Sequence, residues 1–136
     1  MKHFTVNNLL VRVTGFRRAC RKAVEHLKDF PSEETGGFVV HSARGLRLFF
    51  IPNAVPFPRR VALYEPTDDG MAQVFEYMNR YDGSLLMSVH NHPTMFSGRP
   101  SGQDLAGLFL GQPLNAIYSN RDGSFVVYRH DGTVFY

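Results

Sequence analysis

A run of mainly apolar residues, Leu85–Val89, leads directly into His90-Asn91-His92-Pro93. No other segment restricts the fold as strongly. A short apolar run of this kind is what a strand buried on both faces looks like, and such strands lie in sheets covered by helices. The flanking chain supplies those helices. Thr14 can cap a helix running to about Phe30, where Pro31 stops it. Its apolar residues Phe16, Ala19, Cys20, Ala23, Val24, Leu27 and Phe30 recur at three- and four-residue steps. Pro66 and Thr67 open a second helix through about Arg80, with Met71, Val74, Phe75 and Met78 on its inner face.

The remaining segments read as strands and turns. Phe38–His41 and Leu46–Ile51 flank Ser42-Ala43-Arg44-Gly45 as a hairpin. Leu9–Val13 and Val61–Tyr64 are candidate short strands, and the proline-rich stretch 52–58 is a loop. Asp82-Gly83 is a turn, and His90–Pro100 is a loop holding proline and glycine. Ser101–Leu110 predicts a third helix, with Ser101 as N-cap and Asp104 at the capping-box position. Asn115–Ser119, Phe125–Arg129 and Thr133–Tyr136 are strands separated by Asp-Gly turns. The pattern is α/β or α+β, a mixed sheet flanked by helices.

At 136 residues the chain fits one domain spanning 1–136. It has no apolar run approaching the ~20 residues of a membrane span, and no apolar stretch of a secretory leader behind Met1. A cytoplasmic protein is expected. Cys20 is the only cysteine, which excludes an internal disulfide and thiolate-rich zinc sites. It falls on the apolar face of the first helix and reads as a packing residue. The net charge is +3, with basic clusters at Arg17, Arg18, Arg21, Lys22 and at Arg59-Arg60. Such clusters ordinarily mark a solvated helix face and an exposed loop. No nucleic-acid-binding motif accompanies them.

The chemistry is concentrated in His90-Asn91-His92-Pro93 and Pro100-Ser101-Gly102-Gln103-Asp104. On an extended chain, residues i and i+2 point the same way, so His90 and His92 present both imidazoles to one side. Asp104 lies in the first turn of the next helix, within reach of a loop that can fold it back. Two imidazoles and a carboxylate leave tetrahedral zinc a fourth position for water, whose pKa falls to about 7. Glu34, just before Gly36-Gly37-Phe38-Val39, can serve as the base, and Ser101 as the oxyanion donor. Glu33 is the neighbouring alternative to Glu34. The same ligand types describe a non-haem iron site, but iron oxygenases usually order them differently.

Glu34-Thr35-Gly36-Gly37-Phe38, His90-Asn91-His92-Pro93 and Ser101-Gly102-Gln103-Asp104 together resemble the JAMM (JAB1/MPN/Mov34) metallopeptidase family, in its prokaryotic form. Element order agrees from about residue 14 to 130. The resemblance implies a cytidine-deaminase-like architecture, zinc on His90, His92 and Asp104, Glu34 as general base, and Ser101 stabilising the tetrahedral intermediate. It also implies an isopeptidase or peptidase acting at the C-terminal tail of a ubiquitin-like protein, alongside E1- or E2-like conjugation enzymes. Family members often carry Ser or Thr between the histidines; Asn91 looks like the RadC-type relatives. Two rival readings follow, a non-catalytic MPN-type interaction module and a RadC-like protein acting near DNA.

Overall fold

The histidine-bearing run is the central strand of a mixed sheet in the computed structural model, which describes residues 15–56, 59–61, 64–94 and 111–129. The elements are α1 (Phe16–Leu27), β1 (Gly36–Ser42), β2 (Gly45–Ile51), a 3-10 turn (Arg59–Val61), α2 (Asp68–Tyr81), β3 (Ser84–His92), β4 (Leu114–Ser119) and β5 (Phe125–Tyr128). The sheet order is β2-β1-β3-β4-β5. All neighbours are antiparallel except β3 and β4, which run parallel. The α+β layering expected from the sequence is therefore present. No helix among the described residues is long and apolar enough to cross a membrane.

Helix α1 buries Phe16, Ala19, Cys20, Ala23 and Leu27 and leaves Arg17, Arg18, Arg21 and Lys22 in solvent. The basic cluster is thus a solvated face. Gly15 occupies the N-cap, in the left-handed region at φ 86°, with no side-chain cap. Thr14, expected to cap, lies outside the described residues. The helix ends at Leu27 rather than Phe30. Pro31 disfavours helical backbone at Phe30, and the chain tightens into i→i−3 bonds from Asp29 and Phe30. Cys20 packs in the core, and burial pushes its thiol up to about 12. It is protonated at neutral pH and fills space rather than reacting.

Helix α2 begins at Thr67, whose hydroxyl accepts from the Gly70 N–H at 3.2 Å. Asp68 and Asp69 complement the positive end of the helix. Val74 is buried against Phe38, Val40, Ile51 and Leu85, with Met71, Tyr77 and Met78 around it. Phe75, expected inside, is 47% exposed. With Val74 at the centre of the contact, the next residue is turned about 100° away, and Tyr77 packs edge-on to Phe49 instead. Phe38→Ala is expected to cost about 3–5 kcal/mol, as its fully buried ring leaves a cavity. Phe75→Ala should change stability by roughly 0.5 kcal/mol or less. Urea unfolding of both variants checks the assignment.

The continuous look of Leu85–Val89 has a local cause. The β1–β3 register shifts between Val39 and Val40. This bulge turns Leu85 toward α2 while Leu86, Met87 and Val89 join the α1 cluster. Strand β3 also runs further than expected. It continues through His92, because β4 pairs beside it up to His92 and Ser119. Both histidines are therefore strand residues, not loop residues. Val61 belongs to the 3-10 turn rather than a strand, in a segment where Arg60 Nε donates back to the Val55 carbonyl. Arg129 falls after β5 rather than inside it. Leu9–Val13, the helix expected over Ser101–Leu110 and Thr133–Tyr136 lie outside the described residues.

Candidate metal centre

Beyond the bulge, Ser88, His90 and His92 share one face of β3. The imidazole centroids of His90 and His92 lie 5.3 Å apart. Gly36 of β1 pairs opposite His90. A Cβ there would overlap the Val89 carbonyl oxygen and press on His90 Cβ. Gly37 is equally confined, since its Cβ would overlap the Phe49 carbonyl oxygen. These glycines let the three strands close up beneath the histidines.

Glu34 enters from the turn that precedes β1. Its carboxylate sits with both imidazoles, one donor atom from each of the three residues lying within 4.8 Å of the others. Glu34 Oε1 is 4.0 Å from His92 Nε2. That is too long for a hydrogen bond and leaves room for something held between them. Glu34 is only 6% exposed, and His90 and His92 are also buried. Nitrogen and oxygen donors at this spacing suit a divalent cation, so the residues fit a metal. Glu33, the alternative base, is instead 3.5 Å from the Arg60 guanidinium and half-buried. Asp104 and Ser101, expected as third ligand and oxyanion donor, lie outside the described residues.

The backbone of Glu34 is held at both ends. Its N–H donates to the Arg60 carbonyl at 2.8 Å, and its carbonyl accepts from Asn53 Nδ2 at 2.9 Å. Asn53 Oδ1 in turn accepts from the amides of Val55 and Glu65. Arg60 adds its Nε bond to the Val55 carbonyl at 2.9 Å. The stretch that reads as an exposed basic loop is therefore partly structural: Arg59 is in solvent, but Arg60 is half-buried. Tyr64 packs near Gly36, its hydroxyl bonded to the Ile51 carbonyl at 2.8 Å. Burial raises that phenol well above its usual range, which leaves it a neutral donor.

A buried polar group lies one pleat behind His90. Ser88 Oγ donates to Asn115 Oδ1, which also accepts from Gln112 Nε2 at 3.1 Å. Ser88, Gln112, Asn115 and Asn53 were not singled out from sequence as site residues. The signal for Ser88 was a polar residue inside an otherwise apolar strand.

No protein-family model and no curated protein matches the chain. Solved structures share its fold, among them the following two. One is a JAB1/MPN domain protein from Archaeoglobus fulgidus, at TM-score 0.56 and 18% identity, covering 88% of this chain and 92% of that one. The other is a protein from Desulfitobacterium hafniense with a solution structure, at TM-score 0.61 and 17% identity, covering 88% of this chain and 85% of that one. The chain has the JAB1/MPN fold, and it places a buried Glu/His/His group where a metal can be held.

Proposed function

We propose that this chain is a zinc-dependent peptidase or isopeptidase of the JAMM type, acting at the C-terminal tail of a ubiquitin-like protein. One observation carries the reading. Glu34, from a turn more than fifty residues upstream in sequence, is buried beside His90 and His92. A scaffold module has no need of that arrangement. His90 and His92 are the imidazole ligands, and Asp104 supplies the third, leaving Glu34 free to handle protons. Bound Zn2+ supplies a Lewis acid and a water acidified to near neutral pH.

Glu34 takes a proton from the attacking water and passes it to the departing amine, so one carboxylate serves as base and then as acid. Ser101 donates a hydrogen bond to the oxyanion. The low exposure of Glu34 keeps bulk water from competing for that proton. The natural substrate is a conjugate or precursor ending in a Gly-Gly-type tail, made by E1- and E2-like partner enzymes.

Metal binding is tested first. Zinc at about a hundredfold excess over its Kd is expected to stabilise the fold by about 2.7 kcal/mol, read as a rise in Tm that a chelator reverses. Cleavage is then measured on a ubiquitin-like protein fused through its Gly-Gly tail to a reporter. Hydrolysis that needs zinc and stops with chelator is the expected result. Failure of the purified protein to take up zinc refutes the reading.

A further inference from the structure

The residue between the two histidines points away from the metal face. Alternation along β3 puts Asn91 on the α1 side, where its side chain is fully buried. There it meets the turn that carries Glu34. Asn91 Oδ1 accepts from the Thr35 N–H at 2.7 Å. Asn91 Nδ2 lies 2.8 Å from the Phe30 carbonyl, 3.0 Å from the Glu33 carbonyl and 2.7 Å from Asn120 Oδ1. The Asn91 backbone N–H adds a bond to the Thr35 carbonyl at 3.2 Å. The amide orientation is unambiguous, because Thr35 N–H can only donate and the two carbonyls can only accept.

We propose that Asn91 is a positioning residue for Glu34, clasping the turn from residue 30 to 35 from behind while the glutamate reaches the opposite face of the strand. Its bonds fall on Glu33 and Thr35, the two neighbours of Glu34 in the chain. Asn120 extends the clasp: its Nδ2 donates to the Leu27 carbonyl at the end of α1, and its N–H to the His92 carbonyl. One side chain thus ties the strand that supplies both imidazoles to the turn that supplies the carboxylate. The spacing between metal ligands and base is set inside the protein rather than by solvent or substrate. Serine at this position can bond one of these groups but cannot span them all. Aspartate would turn a carboxylate oxygen toward two carbonyl oxygens.

The inference rests on the peptidase reading above, and the experiment separates the two. Asn91→Ser and the core variant Val74→Ala are compared with the unaltered protein at a temperature where all three are folded. Amide exchange needs no substrate. In Asn91→Ser the Thr35 amide should exchange at least about tenfold faster, with the β1 amides of Val39 and Val40 still protected. On the Gly-Gly fusion, kcat should fall roughly 10–100-fold, with KM within about twofold and zinc still bound at the original stoichiometry. Val74→Ala should keep its kcat. Unchanged Thr35 exchange, wild-type kcat in Asn91→Ser, loss of its zinc, or an equal kcat loss in Val74→Ala each overturns the positioning role. If the unaltered protein binds zinc but cleaves nothing, the peptidase reading fails, and Asn91 is judged on the exchange of Thr35 alone.

Discussion

Glu34→Gln is expected to lower kcat by about 10²–10⁴-fold while fold and metal content stay the same. The substitution is nearly isosteric. It removes the group that can accept a proton beside His92 and leaves the main chain untouched. The backbone of residue 34 is held by the Arg60 carbonyl and the Asn53 amide, not by its own carboxylate. Glutamine should therefore occupy the same place, with no proton to shuttle. Turnover on a Gly-Gly fusion, zinc by elemental analysis and circular dichroism make the comparison. Turnover near the parent level places the base elsewhere. Loss of zinc instead identifies Glu34 as a ligand and overturns its role as base.

The outcome bears on which parts of the site can be read from letters. His90 and His92 were legible because i, i+2 residues of an extended chain point the same way, and β3 keeps the chain extended through His92. Glu34 was legible through the glycines after it, whose confinement shows why no larger residue stands there. The choice between Glu33 and Glu34 turns on a partner distant in sequence, Arg60, which holds the first away from the histidines. No local pattern encodes that. Asn91 was visible only as a departure from the family's usual Ser or Thr. Its four polar contacts come from segments as much as 61 residues away. Helix faces were legible to within a residue: Val74 is central as periodicity demands, and Phe75 is outside because periodicity does not fix the docking angle. The bulge was hidden for a related reason, since a strand buried on both faces gives no alternation whose slip could be seen.

A large stability effect is expected at Gly37. Replacing it with Ala should cost roughly 3–5 kcal/mol, a large share of the stability of a domain this size. The added Cβ meets the Phe49 carbonyl oxygen, with the Phe49 carbonyl carbon and Phe50 Cα close behind. All are backbone atoms of β2, so no side chain can swing aside. Relief requires β2 to move off β1 where Gly37 pairs with Phe50. Gly36→Ala meets a different neighbourhood: the Val89 carbonyl, His90 Cβ at 3.0 Å and the Tyr64 ring at 3.0 Å. It should push β3 and with it the His90 imidazole, weakening zinc binding by about 10–100-fold in addition to lowering stability. Gly45→Ala is the contrast. Its Cβ would meet nothing within 4 Å, and only the positive φ of 93° opposes it, so the cost should be about 1 kcal/mol. Urea unfolding and zinc titration of the three variants test the ranking. If Gly37→Ala unfolds at the same urea concentration as Gly45→Ala, the close approach of β1 and β2 is wrong, and with it the account of why glycines stand beside the base.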